Sequence, residues 1–499
     1  MLGKRLSKSV EVGIVFAVLL TLGASSSLVN NVVIQSVGTI APYVTAASGS
    51  AADIQNAVNQ VANTGNGLGT VIIPAGTWIW QDQTVKVPAG VNIIGTGLAG
   101  NNGHTSNWTA NTPQTILFQN ETGSWGTSPS GNTWNGGYDY NPMFLVFGPP
   151  TSESPITVKN PYAPTLIEGI YFQITPPINA YQENEIDIVG AGWPCIEIYE
   201  INNWRVAYCT FVNWCVPTVC ISPWNEGNSS ATNYGVCDHC TFINSYELNN
   251  PGDVDGYNSW EWGTGIMSWG AFSDGGNNVA PTTGWSEPIT AFYGYYGPMP
   301  GYSITYSEDD NFTYVSECID GLNGGFSCVR FDVFNDASCA WGAQTVEVHG
   351  PNYESWGAGG RGLEVYNCTF NPWPASQVNT NTGDLITYPW IDAEDWGMYL
   401  RGGAALFYNN TYHGNGVDCL VGLTETDDSN DGYAYLPYGM DVNQTFIWNN
   451  VYGDCTFLSV DSHYTLGNNY FLTPPNSTTL SGFTYTPYPY PNPITLSNG

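Results

Sequence analysis

LEVYNCTF, residues Leu363 to Phe370, decides the fold. A short β run ends at Tyr366, and the unit x-Cys-Thr-Phe follows it. The same unit recurs at Tyr208–Phe211, His239–Phe242 and Asp454–Phe457, and Tyr408–Tyr412 is a variant with Asn in the place of Cys. Cys209 and Cys240 stand 31 residues apart, the length of one coil with a loop in it. One strand-turn unit recurring at irregular intervals is what a solenoid with loops of varying length produces. Equivalent positions then stack, with the Phe inside and the Cys or Asn forming a ladder at a turn. A β-sandwich, the competing all-β arrangement, predicts alternating strands without a repeated motif.

Toward the N-terminus the pattern starts with a helix. Ser50 is placed as N-cap, Asp53 lies in the first turn, Ile54, Val58 and Val61 share a face, and Gly65 follows the end. Short strands broken by Gly and Pro come next: Thr70–Ile73, Thr77–Trp80, Val85–Val87 and Val91–Ile94, with Pro-Ala-Gly turns between them. The block Ser50–Gly97, with DIQNAVNQVAN, GTVIIPAGTWIW and VPAGVNIIGTG, resembles the start of pectate-lyase-like right-handed parallel β-helix proteins. RGLEVYNCTF (Arg361–Phe370) and RGGAALFYNNT (Arg401–Thr411) look like later coils of such members. The resemblance implies an all-β right-handed parallel β-helix, capped by the helix and carrying long aromatic-rich loops. It does not settle activity, because one fold hosts lyases, hydrolases, tailspikes and adhesins.

The expected organisation is a signal peptide or membrane anchor over 1–27, a linker over 28–49, the β-helix over 50–473 and an extended Pro/Tyr-rich tail over 474–499. Lys4, Arg5 and Lys8 precede an apolar run from Val12 to Leu22, and small residues follow. That leader places the remainder outside the cytoplasm, secreted or at the cell surface. Any membrane attachment runs through the N-terminus only. Asn-x-Ser/Thr sites from Asn107 to Asn476 allow glycosylation without demonstrating it.

Charge narrows the partners. Nine Lys+Arg stand against 42 Asp+Glu, a net charge of -33. Such a surface repels nucleic acid and anionic membranes and disfavours polyanionic glycans near neutral pH. The low total charge also suits a medium in which carboxylates are partly protonated.

Twelve cysteines, Cys195, Cys209, Cys215, Cys220, Cys237, Cys240, Cys318, Cys328, Cys339, Cys368, Cys419 and Cys455, are disulfide candidates in an exported chain. Cys237-Asp-His-Cys240 also has a metal-ligand spacing, but Cys240 belongs to the stacked series. Gly95–Gly100 matches GxGxxG without a following helix, so a turn is the better reading than a dinucleotide site. Asp427, Ser429 and Asp431 alternate ahead of Gly432, as oxygen ligands of calcium would, with a solvated acidic turn as the alternative.

Glycoside hydrolysis needs two carboxyl groups across the scissile bond. Asp309, Asp332, Asp336, His349, Arg361 and Arg401 form the candidate catalytic set, concentrated between residues 308 and 401. Arg330, Arg361 and Arg401 lie 31 and 40 residues apart, a spacing that would stack them on one face. Lyases of the resembled family use Arg or Lys as base. The signatures of its pectin hydrolases, Asn-Thr-Asp, paired Asp, Gly-His-Gly and Arg-Ile-Lys, are not present as such. Trp260, Trp262, Trp269, Tyr295 and Tyr296 form the best sugar-stacking surface, with loop-core packing as the alternative. Two functions therefore stand side by side. One is a carbohydrate-active enzyme, a glycoside hydrolase or polysaccharide lyase acting on a polysaccharide or surface glycan. The other is a non-catalytic extracellular structural or adhesive protein.

Overall fold

From Gly169 onward, every coil of the chain turns one tight corner. After each strand of one sheet, a single residue adopts the left-handed conformation, a second turns inward, and the next strand begins. Gly169, Tyr208, His239, Asp309, Phe331, Asn367, Asn409 and Asn449 hold the first position, with φ between 52° and 70°. Non-glycine residues tolerate that region poorly unless the surroundings fix them. Here the surroundings are a ladder. The second position is Cys209, Cys240, Asp310, Asp332, Cys368, Asn410 and Asn450 in successive coils. The Cys368 amide donates to Asn410 Oδ1 and the Asn410 amide to Asn450 Oδ1, each at 2.9 Å. The Cys240 amide donates to Asp310 Oδ1 at 2.6 Å, and the Asp310 amide to Asp332 Oδ1 at 2.9 Å. Each rung thus satisfies an otherwise unpaired backbone donor of the rung before it.

The structure, a computed structural model, describes residues 42–81, 83–96, 114–120, 142–148, 158–161, 163–175, 194–214, 217–222, 232–243, 264–270, 288–295, 297–313, 315, 317–322, 324–337, 344–350, 359–372, 376–378, 385–387, 396–414, 419–424 and 442–497. Among them, three parallel sheets hold twelve, ten and ten strands, here named A, B and C. The chain passes from C to A to B and back to C in each coil, so neighbours within a sheet are one coil apart. Parallel returns of right-twisted strands close in the right-handed sense. Phe172, Phe211, Phe242, Phe312, Phe334 and Phe370 stack along the inside of sheet B, with centroids 4.6–5.2 Å apart. The expected Phe stack and Cys/Asn ladder are both present, but the Asp454–Phe457 unit stands outside them, at the start of the sheet C strand Thr456–Val460.

The helix Ala51–Ala62 packs its Ile54, Val58 and Val61 face over the first strands. Ser50 Oγ accepts from the Asp53 amide at 3.2 Å, as an N-cap does. Among the described residues, no helix is long and apolar enough to cross a membrane.

The ladder corrects the disulfide reading. Cys195, Cys209, Cys220, Cys237, Cys240, Cys318, Cys328 and Cys368 are buried thiols, and no disulfide forms among the described residues. The ladder cysteines arrive one per coil and turn toward carbonyls instead. Cys240 Sγ donates to Val206 O and Cys368 Sγ to Val329 O, both at 3.6 Å. Cys419 Sγ donates to Val421 O, and Cys455 is half-buried near the end of the coil. Cys215 and Cys339 lie outside the described residues.

Sheet A carries a second core on its outer face. The segment around Ile289–Tyr302 and the C-terminal residues Leu480–Ile494 cover Tyr306, Phe326, Leu406 and Phe446. The tail runs back across the coils. Tyr485 donates to Glu364 Oε2 at 2.8 Å, Arg330 Nη1 to Tyr488 O at 2.7 Å, and the Asn492 amide to Glu308 Oε2 at 2.9 Å.

A candidate active site on the outer face of sheet C

From Gly169 onward the A-to-B corner never lengthens, so the long connections of those coils occur only where the chain leaves or enters sheet C; in an earlier coil residues 96–114 join sheet A to sheet B. That fixes which face of the solenoid is bordered by insertions. Four neighbouring strands of sheet C, Thr264–Trp269, Glu317–Leu322, Gln344–Val348 and Trp396–Leu400, carry a file of chemically unusual residues there. Ile266, Ile319, Val346 and Met398 point into the coil. Met267, Asp320, Glu347 and Tyr399 lie in register beside them on the opposite face. Two residues along each strand, Trp269, Leu322, His349 and Arg401 continue that outer face. Trp269 is in register with Leu322, while the His349 and Arg401 amides extend the ladder to Gly321 O and Val348 O.

The centre of this file is a buried acid pair. Asp320 and Glu347 are each 1% exposed. One donor atom from each of Asp320, Glu347 and His349 falls within 4.8 Å of the others. Arg401 Nε donates to Glu347 Oε1 at 2.5 Å, and its Nη2 also contacts that oxygen. The same Nη2 lies 2.8 and 2.7 Å from Nδ1 and Nε2 of His349. Neither Asp320 oxygen accepts a hydrogen bond among the described residues, and neither does Glu347 Oε2. The adjacent Gly321 amide lies close enough to lower the Asp320 pKa but does not meet hydrogen-bond geometry with either oxygen.

Environment sets the protonation states. Burial pushes the Asp320 carboxyl well above the usual range, and the charges of Glu347 and then Glu317 push it further. Burial raises Glu347 too, but the Arg401 guanidinium opposes it. The proton of the pair therefore rests on Asp320. Burial and then Arg401 hold His349 well below its usual pKa, so it is a neutral imidazole. The arrangement offers a carboxylic acid, an ion-paired carboxylate and a neutral ring at one place. Three such donors could also hold a divalent cation, but the Arg401 charge within contact of two of them opposes one.

Of the sequence candidates, His349, Arg401 and Trp269 come together here. Asp309 does not: it sits at the A–B corner, where its Oδ2 accepts from Tyr490 at 2.6 Å. Asp332 is a ladder residue, fully buried and bonded to Ser307 Oγ at 2.6 Å. Asp336 belongs to the sheet B strand Val333–Ala337. Arg361 is buried beneath the aromatic cover of sheet A, its guanidinium 4.9 Å from the Phe292 ring. Arg330 is also on sheet A, paired with Glu308, so the three arginines share no face. Tyr295 belongs to the cover of sheet A, where its carbonyl accepts from Tyr306 at 2.6 Å. Trp260, Trp262, Tyr296, Asp427, Ser429 and Asp431 lie outside the described residues.

Neither Asp320 nor Glu347 stands among the sequence candidates. The available signal was a shared frame: Ile319-Asp320-Gly321, Val346-Glu347-Val348 and Met398-Tyr399-Leu400 repeat small or apolar, variable, small or apolar.

No protein-family model matches the chain, and no curated protein does. Solved structures do. An alginate lyase from a Paenibacillus species is 10% identical, with 86% of this chain and 99% of that one covered and a TM-score of 0.30. An exopolygalacturonase from Thermotoga maritima is 10% identical over 82% of this chain and 81% of that one, TM-score 0.40. The pectin methylesterase PemA from Erwinia chrysanthemi is 8% identical over 90% and 99%, TM-score 0.35. The fold is a right-handed parallel β-helix. At these identities the likeness concerns the fold alone, as in the pectate-lyase-like resemblance of Ser50–Gly97.

Proposed function

We propose that the protein is an exported glycoside hydrolase whose reaction takes place at Asp320 and Glu347. One observation carries the reading: a fully buried carboxyl group, Asp320, accepts no hydrogen bond among the described residues and stands beside a second carboxylate that an arginine keeps ionised. An unpaired buried polar group costs about 1–3 kcal/mol, so a fold that keeps one needs a use for it. Catalysis is such a use, because an acid near its pKa must meet the leaving oxygen rather than the protein.

In this reading the Asp320 carboxylic acid gives its proton to the glycosidic oxygen as that bond breaks. Glu347 faces the anomeric carbon. Two carboxyl groups about 5–5.5 Å apart suit double displacement, in which the carboxylate forms a glycosyl ester and water then releases it. Register partners on adjacent parallel strands, with oxygens within 4.8 Å, match that shorter spacing. Water returns its proton to Asp320 in the second step. Arg401 positions Glu347, and His349, whose Nε2 lies 3.9 Å from Asp320 and 3.8 Å from Glu347, packs beside them without adding charge. The leader-like N-terminus and the acid-tuned carboxyls support action outside the cell.

The test is turnover of a polysaccharide panel by the secreted form, followed as reducing-end release. Asp320→Asn and Glu347→Gln should each lower turnover about 10²–10⁴-fold, the range removed with a general acid or base. The unfolding temperature of Asp320→Asn should stay at or above that of the parent, whereas Glu347→Gln, which leaves the Arg401 guanidinium without its charge partner, should lower it. Full activity in both variants, or no turnover by the parent on any polymer, would overturn the reading in favour of a structural role.

A further inference from the structure

We propose, resting on that reading of the site, that the glycan it takes is uncharged. The argument is an inventory of cations. Of nine Lys and Arg, three (Lys4, Arg5 and Lys8) precede the solenoid. The other six are Lys86, Lys159, Arg205, Arg330, Arg361 and Arg401, and the structure describes all six.

Five are committed away from the site. Arg205 pairs with Asp238 at 2.7 Å, and Arg330 pairs with Glu308 beneath the tail. Arg361 is buried against Phe292 under the cover of sheet A. Lys159 Nζ donates to Thr64 O near the helix. Lys86 stands on the first strand of sheet C, five strands before that of Asp320, so about 24 Å away at the usual strand spacing. Only Arg401 reaches the acid pair, and Glu347 already engages it.

Apart from Lys159, Arg361 and Arg401, already placed, the connections that enter or leave sheet C add no cation. Residues 223–232, 244–263, 270–302, 338–343, 349–360, 373–395 and 424–444 contain neither Lys nor Arg. They do contain acids, among them Asp253, Asp255, Glu261, Asp392 and Glu394. Sugar carboxylates or sulfates would meet a chain of net charge -33 and one occupied guanidinium. Neutral hydroxyls meet no such penalty. Specificity here is built by repulsion of the wrong polymer.

The experiment uses the full secreted chain at about pH 5.5, where uronate carboxyls are ionised. The substrates are neutral polymers (an α-glucan, a β-glucan and a mannan) and two polyuronates (polygalacturonate and alginate). Turnover of a neutral polymer should exceed that of either polyuronate at least a hundredfold. Comparable or faster cleavage of a polyuronate overturns the proposal. Affinity electrophoresis of the Asp320→Asn protein in gels of the same polymers reads charge class without catalysis. Retardation by a neutral polymer alone supports the proposal even if the parent cleaves nothing. Retardation by a polyuronate, or by no polymer, overturns it. Cleavage of neutral polymer that survives Asp320→Asn leaves the charge class standing and removes the acid pair instead.

Discussion

The outer faces of sheets A and C are made of the same materials and solve opposite problems. Both bury carboxylates and arginine on a parallel sheet. On sheet A the buried carboxylates Asp238, Glu308 and Glu364 are answered. Arg330 holds Glu308 and reaches Tyr366, Tyr488 O and Pro489 O, and Arg205 takes both oxygens of Asp238. Glu364 accepts from Tyr485 and the Gly294 amide. The chain supplies its own lid, the Pro/Tyr-rich tail, as the partner. On sheet C the chain supplies Arg401 for one oxygen of Glu347 and leaves both Asp320 oxygens without a bond. A satisfied buried network rigidifies a face, and an unsatisfied one keeps free energy available for a ligand. The difference separates a structural face from a reactive one by what each polar atom touches, with composition held nearly constant.

Removing an arginine partner gives the largest contrast in stability. Arg330→Ala strips Glu308 of its charge partner and the tail of two anchors, so unfolding free energy should fall by about 3–5 kcal/mol, as for other broken buried pairs. Asp320→Asn should cost nothing or stabilise, because it removes a desolvated carboxyl that has no partner. Denaturant unfolding of both variants checks this. Equal losses would mean that Asp320 is as structural as Glu308.

Acidity sharpens the contrast next. Burial raises the Glu364 carboxyl from 4.5 to about 7, and it raises Asp310, Asp332 and Asp320 as well. A raised folded-state value means that the folded protein binds protons more tightly than the unfolded chain. The stabilisation is therefore complete below the unfolded carboxyl pKa near 4 and is lost as pH rises through the folded values. For Glu364 the loss amounts to about 3 kcal/mol across roughly pH 4 to 7.5. The unfolding temperature should fall steadily over that window, and Glu364→Gln should flatten the fall. A protein more stable at pH 7.5 than at pH 4 would contradict the assignment. Ser307 gives a bond-counting reason for expecting acid stability. Its single hydroxyl proton cannot serve both Asp310 Oδ2 at 2.9 Å and Asp332 Oδ2 at 2.6 Å, so one carboxyl must bring its own.

What could be read from sequence follows the same division. Positions that repeat were legible: Phe211, Phe242 and Phe370 announced their stack, and Cys209, Cys240 and Cys368 announced their ladder. Asp310 and Asp332 stand in that ladder too, but DDNF and FDVF hide the motif, because hydrogen bonding at the corner accepts any short polar or thiol side chain. Asp332 therefore looked catalytic. The arginine spacing of 31 and 40 residues suggested one face. Connections of different length break that inference, since Arg330 ends a sheet A strand while Arg401 follows a sheet C strand. Sequence distance gives face only where the intervening connection is fixed, and in this chain only the A–B corner from Gly169 onward is.

Trp269 tests the smallest effect, and the one most specific to sheet C. It ends the strand before that of Asp320, on the same outer face, and it is 8% exposed. If a sugar unit next to the cleaved bond rests on this indole, the contact is made before and during bond breaking alike. A contact of that kind changes ground-state and transition-state binding together. Trp269→Ala should then raise KM about fivefold to tenfold, the worth of roughly 1 kcal/mol of aromatic stacking, with kcat nearly unchanged. Trp269→Phe, which keeps a ring face, should recover most of the loss. Packing against Met267 and Leu322 is the competing role, since the three side chains form one cluster. That role predicts a lower unfolding temperature with KM unaltered, and a Phe variant that rescues stability and leaves substrate affinity where it was. The KM-against-stability split decides whether the aromatic edge of sheet C belongs to the sugar or to the sheet.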